Sequence, residues 1–300
     1  MSQSLKVIKS LAVTDSILTA TNVTEADYAV WAAGTTYALD ARVIKSHKVW
    51  QSLQAGNVGQ DPLLQPTWWV EVGPTNRWKC LDLSSTTQTA LSANSYYEFT
   101  PGQAINGVAL VNVANIGTVR VRLTDPDFGV VYDQTTSLGG VPTQANWYAW
   151  FFDTRVQQTA FVATDLPSYP NAVLRIDLGS GSGGLVGALI IGQVRSMGLG
   201  IQQGARLGIQ DYSRKERNDW GDTVLVQRAY AKRLQLNTLV PSDELDNVYR
   251  TLAEMRASPC LWIASTRYAS LTVFGFYQDF EINIQYAAYA DCSLTIEGLT

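Results

Sequence analysis

Residues 211–265 read DYSRKERNDWGDTVLVQRAYAKRLQLNTLVPSDELDNVYRTLAEMRASPCLWIAS. A charged, Trp-bearing turn opens the stretch (Arg214, Lys215, Glu216, Arg217, Asp219, Trp220, Gly221), a strand-like run covers Thr223 to Leu236, and the only strong helix signal of the chain follows. Pro241 suits a first helical turn, where its missing N–H has no partner to lose, and Ser242 and Asp243 offer capping oxygens. Leu245, Val248, Leu252 and Met255 recur at three-or-four spacing and share one helical stripe. Pro259 blocks continuation, so a helix is expected near 241–257, ending about Ala257 or Ser258. Beyond it, Cys260 to Ala264 and Leu271 to Tyr289 read as strands. Phe274, Phe276, Phe280, Ile282 and Ile284 share one parity, and Tyr277, Asp279, Glu281, Asn283 and Gln285 hold the other. Residues 201–300 are therefore expected to form a β-sandwich carrying one α-helix.

The order of DWGD turn, long basic strand, Pro-started helix, RASPCLWIAS and terminal LTIEGL resembles the C-terminal domain of tail and baseplate proteins of tailed bacteriophages. The resemblance covers the last third of the chain and lies in element order and composition, not in a catalytic motif. It implies a virion structural protein of the distal-tail type, made in the host cytoplasm and docked with other phage tail proteins in an oligomeric ring or tail tip. Within it, Arg214, Arg217, Trp220, Arg228 and Arg233 are the candidate assembly residues. A basic stripe on a strand is ordinarily a solvated face; opposite Asp243, Glu244 and Asp246 of a neighbour it would fix register and partner choice.

Composition sets the limits around this core. The chain has 300 residues, more than one ordinary core needs, so two or three domains are expected. Charged residues make up 16% of it and hydrophobic ones 46%, against roughly 25% charged in typical soluble domains. Two explanations stand side by side: burial of surface in an oligomer, or a large all-β protein covered by Thr, Ser, Asn and Gln. The net charge of −4 gives no electrostatic footprint for nucleic acid. Leu5 to Ser10 is too short and too basic for a signal peptide, and no apolar run reaches bilayer-spanning length, so membrane insertion is not expected. Cys80, Cys260 and Cys292 lack metal spacing and are expected to be reduced and buried; a Cys260–Cys292 disulfide is the minority alternative.

Upstream, residues 1–25 read as an extended arm or edge strand. Residues 26–82 hold five of the nine tryptophans (Trp31, Trp50, Trp68, Trp69, Trp78) between Gly and Pro punctuation, which points to a small Trp-rich β module whose large rings fill a core that short strands cannot. The order W-x-x-G-x-x-Y-x-x-D-x-x-V (Trp31, Tyr37, Asp40, Val43), then KVWQSL with Trp50 and Gln51, then Pro62 and Trp69, resembles the small chitin-binding modules of chitinases. The usual exposed aromatic pair is replaced by Leu53, Gln54, Ala55 and Gly56. A sugar platform would thus have to come from Trp50, Trp68 or Trp69, with Trp31, Tyr37 and Trp78 in the core.

A Ser/Thr/Gln-rich linker spans Leu81 to Ala93, and residues 83–200 alternate as successive strands, with Trp147 to Phe152 read as an aromatic strand and Gly179 to Gly184 as a hinge or hairpin. The run AVLRIDL followed by VGALIIG resembles a galactose-binding-type jelly-roll β-sandwich, with Tyr148, Trp150 and Tyr169 as the aromatics such a fold would offer.

Little supports catalysis. Asp125, Asp127 and Asp133 in TDPDFGVVYD lack calcium-loop spacing and suit a turn. The GSGSGG run has no Lys-Ser/Thr and precedes a strand, which excludes a phosphate cradle. His47, the single histidine, stands between lysines, a poor place for a buried base, and cannot anchor a multi-histidine metal site. No acidic motif nominates a glycosidase pair. The expectation is a non-enzymatic, cofactor-free virion component whose upstream modules contact host-surface glycans. The competing class is a free carbohydrate-binding protein or the non-catalytic part of a glycan-degrading enzyme.

Overall fold

The computed structural model describes residues 4–84, 86–140, 147–152, 157–217, 220, 222–265 and 268–299. Asp219 and Gly221 of the charged turn and the side chain of Trp150 lie outside the described residues. The protein is all-β, with two short α-helices among the described residues. The strands of the first half are β1 (Leu5–Ser10), β2 (Leu18–Thr21), β3 (Arg42–Lys45), β4 (Lys48–Ser52), β5 (Trp69–Pro74), β6 (Thr89–Leu91), β7 (Ser95–Phe99), β8 (Gly107–Asp125) and β9 (Gly129–Ser137).

Helix α1 (Trp147–Phe152) follows, then β10 (Ala160–Ala163), β11 (Val173–Met197), β12 (Gly200–Ile201), β13 (Arg206–Asp211), β14 (Arg214–Arg217), β15 (Thr223–Val226) and β16 (Tyr230–Pro241). Helix α2 (Leu245–Glu254) precedes β17 (Cys260–Ile263), β18 (Thr272–Asn283) and β19 (Tyr289–Gly298).

Two long antiparallel strands, β8 and β11, build the central sandwich. Val119, Val121 and Leu123 stand beside Leu178, Ile176 and Leu174 at one end of their ladder, and Val108 and Leu110 beside Ile191 and Leu189 at the other. All ten side chains belong to one buried cluster, so the ladder folds over on itself. The fold falls where the register shifts, between Gly179 and Leu185. The GSGSGG run is thus a bulged corner inside one strand, not a hairpin, because extra residues opposite a shorter partner bend the strand.

The expected free arm over residues 1–25 is corrected. β1 lies between β11 and β17, hydrogen-bonded to both, with Leu5, Val7 and Ile8 wholly buried. Its alternating face drives it inward: Leu5 and Val7 join the C-terminal core and Ile8 the opposite face. The linker expected over Leu81 to Ala93 likewise contains β6, paired with β11.

The pairing path runs β11, β1, β17, β18, β19, β16 and back to β12, which resumes just past the end of β11. The C-terminal sandwich is thereby closed at its edges, which removes the aggregation hazard of free strands. Helix α2 covers its core through Val248 and Leu252, with Met255 just beyond. The helix is shorter than expected at both ends. Pro241 is the last residue of β16, paired with Tyr289, Ser242 Oγ donates to the Ala287 carbonyl instead of capping, and Ala257 ends the segment with φ 57°.

The parity reading of β18 also needs correction. A bulge between Tyr277 and Asp279 switches the inward face. Val273 and Tyr277 point to the core before it, and Phe280 and Ile282 after it, while Phe274 packs on the opposite face of the sheet. Trp147 to Phe152 is helical, not extended.

Candidate functional site

Among the described residues, β13, β14, β15 and the first half of β16 form an exposed two-stranded arm. β13 pairs with the first half of β16, from Arg206 opposite Gln235 to Asp211 opposite Tyr230, and β14 and β15 continue it as a separate ladder from Arg214 opposite Val226 to Arg217 opposite Thr223. The junction is held by Asp211 Oδ1, which accepts from the Ser213 backbone N–H at 2.9 Å and hydroxyl at 2.6 Å. The Ser213 Oγ in turn accepts from the Arg228 N–H at 3.1 Å. Asp211 lies below the usual carboxylate range because of these bonds from Ser213. The Tyr212 hydroxyl donates to Glu297 of β19 at 2.9 Å, which ties the arm to the body.

Every residue of β13, β14 and β15 is exposed on both faces. Ile209 is 66% exposed, Leu225 72% and Trp220, at the tip, 90%. A two-stranded ribbon that buries neither face is marginal by itself in water, and apolar side chains gathered on such a ribbon mark a contact surface. The arm is also basic: residues 206–233 hold seven Arg or Lys and four Asp or Glu, a net +3, so the rest of the chain carries −7 to reach the total of −4. Arg214, Arg217, Trp220, Arg228 and Arg233 all lie on this arm and are exposed. They are strung along it, not gathered at one spot; Arg233 sits at its root, opposite Glu297 of β19. The sequence placed these residues on one basic stretch but read Thr223 to Leu236 as one strand, since the break at 227–229 carries no Gly or Pro.

The Trp-rich module forms its own sheet, β3-β4-β5. Trp69 is 1% exposed; its Nε1 donates to the Gln60 carbonyl at 2.9 Å and its ring meets the Tyr37 ring edge-on at 5.3 Å. It is the core of the module and cannot serve as a sugar platform. Trp50 is half-buried, with Nε1 donating to the Lys45 carbonyl at 3.1 Å, and Trp68 is half-buried as well. Trp31 is packed beneath Lys45, whose ammonium stands 3.9 Å from the ring centre and 2.6 Å from Asp61. The Lys45 hydrogen bond holds the Asp61 carboxyl below its ordinary range.

His47 is not the solvated strand residue its lysine neighbours suggest. With Ser46 it forms the β3–β4 turn at positive φ, and its Nδ1 and Nε2 stand 2.8 Å from Glu25 and 2.9 Å from Asp15. Arg77 and Thr75 also reach Glu25, and the ring packs on Trp78 at 4.7 Å. The cluster ties the module to the segment before it.

Elsewhere, Asp125 Oδ1 accepts from the backbone N–H groups of Asp127 and Phe128 at 3.0 and 3.2 Å, a turn geometry. Among the described residues no group of three His, Cys, Asp or Glu could hold a metal, and no helix is long and apolar enough to cross a membrane. A depression of about 550 Å³ along α2 is lined by Arg195, Glu244, Arg250 and Glu254, with Arg195 3.0 Å from Glu254. Cys260 and Cys292 are free thiols inside the C-terminal core. Comparison with protein-family models, curated proteins and solved structures finds no match.

Proposed function

We propose that this chain is a structural subunit of a multi-copy assembly, and that the arm over residues 206–233 is its assembly element. One observation carries this: a basic ribbon with every residue of β13, β14 and β15 exposed sits on an otherwise acidic body, so a second copy supplies both the missing burial and the complementary charge. The resemblance of the last third to tail and baseplate proteins of tailed bacteriophages supports placing that assembly in a phage tail tip, alongside other tail proteins. A second role, contact with host-surface glycans through Trp50 and Trp68, rests on the half-buried indoles of the Trp-rich module. The same feature serves the competing assignment as a free carbohydrate-binding protein.

Light scattering on the full chain at several concentrations tests the proposal. A defined oligomer that Trp220→Ala with Arg228→Ala, or Ile209→Lys with Leu225→Lys, converts to a folded monomer supports it. A strict monomer at every concentration, or an oligomer indifferent to all four substitutions, overturns assembly through the arm.

A further inference from the structure

A neutral imidazole carries one N–H, and its other ring nitrogen is a bare lone pair. His47 has a carboxylate against each nitrogen: Nδ1 is hydrogen-bonded to Glu25 Oε1 at 2.8 Å, and Nε2 forms an ion pair with Asp15 Oδ1 at 2.9 Å. A lone pair is repelled by a carboxylate oxygen at that distance, so the two contacts coexist only while the ring carries two protons. The His47 and Trp78 ring centres are 4.7 Å apart, within reach of the attraction between a cation and an indole face. Arg77 Nη1, 3.4 Å from Glu25, is the opposing cation, while the flanking Lys45 and Lys48 are held by Asp61 at 2.6 Å and Glu71 at 2.8 Å. Asp15, Glu25, Arg77 and a protonated His47 together are electrically neutral; with a neutral ring the group keeps a surplus negative charge.

These side chains come from separate parts of the chain. His47 lies in the β3–β4 turn of the Trp-rich module, Asp15 in the connection between β1 and β2, Glu25 after β2 and Arg77 after β5. The two carboxylates are unequal: the Glu25 side chain is 13% exposed and also takes the Thr75 hydroxyl, whereas that of Asp15 is 72% exposed. We propose that His47 is a proton-operated clasp. Doubly protonated, it fastens the module to the β1–β2 turn; on giving up the Nε2 proton to solvent it keeps Glu25 and releases Asp15. The released turn is poorly secured otherwise, since Thr14, Asp15 and Ser16 are all exposed. Histidine is the side chain that ordinarily changes charge between about pH 5 and 8, and carboxylates are ordinarily ionised throughout that range. The clasp is therefore closed on the acid side of the range and open on its alkaline side.

Amide exchange of the full chain at about pH 5.5 and about pH 8.5, either side of the histidine range and corrected for the chemical exchange rate at each pH, tests this. The Ile17 and Leu18 N–H groups, which donate to the Thr14 carbonyl at 2.9 and 3.0 Å, report the turn. Their protection is expected to fall about three- to fivefold at the higher pH, the range of an exposed ion pair, while that of β8 and β11 stays constant. Asp15→Asn alters an exposed side chain and leaves Glu25 and the module core in place; it should show the alkaline level of turn protection at both pH values with circular dichroism unchanged. His47→Gln should show the same pH-independence. Equal turn protection of the natural chain at both pH values overturns the proposal, as does a pH dependence that survives in either variant. A fall shared by β8 and β11 would trace the effect to global stability, and that too overturns the clasp.

Discussion

The imidazole of His47 and the carboxylate of Glu25 stand 2.8 Å apart, with Asp15 on the other ring nitrogen at 2.9 Å. Glu25 is itself mostly buried and also takes the Thr75 hydroxyl at 2.8 Å, so this is a buried-edge network, not a lone surface pair. His47→Ala leaves Glu25 short of a partner and is expected to cost about 1–2 kcal/mol. The cost should appear locally, as faster amide exchange in β3, β4 and β5 with the exchange of β8 and β11 unchanged. Uniform acceleration across the chain would show that module and body unfold together.

Replacing Trp69 and Trp68 separates core from surface. Trp69→Ala should destabilise the module by about 3–5 kcal/mol, since the ring is 1% exposed and packed on Tyr37. Trp68→Ala should leave stability within about 1 kcal/mol and reduce any glycan retention. Chemical denaturation followed by fluorescence, with a glycan array beside it, checks both halves.

Gly275 has no room for a methyl group, because a Cβ there would collide with the Glu297 carbonyl and the Gly298 Cα. Gly275→Ala is expected to lower stability by about 3 kcal/mol. Gly208→Ala, on the arm with open space around it, serves as the neutral control. Thermal unfolding of the pair reads the difference.

The three cysteines have pKa values pushed up to about 11 by burial. At pH 8 only about one thiol in a thousand is ionised, so a thiol reagent should label none of them in the native protein and all three after denaturation. The unfolded thiols ionise near pH 9, before the native ones. Their contribution to stability is therefore complete below pH 9 and lost as pH rises towards 11. Denaturation midpoints falling across that window would bear this out; midpoints flat across it would not.

How far the residues alone carried the fold shows element by element. The α2 stripe, the Trp-rich module and the all-β character were legible because period and aromatic density are local properties. The reversal of face within β18 was not, since a bulge is visible only against its partner strand β19. Trp69 looked as available for stacking as Trp68, because adjacent residues share local composition, while burial is decided by where the sheet begins: Trp68 ends the turn and Trp69 opens β5. His47 looked solvated because Asp15 and Glu25 lie far from it in sequence.

By itself the sequence determined an all-β chain with one amphipathic C-terminal helix, three cysteines without metal spacing and a basic, Trp-tipped stretch before that helix. Only the tertiary structure decided that β1 is a central strand, that the C-terminal sandwich closes through β12, and that the basic stretch stands clear of the body as an arm. The physical reason is the same in each case. Periodicity specifies that a strand has an apolar face, but which strand comes to cover that face, or whether any does, is set by non-local pairing that no single segment encodes.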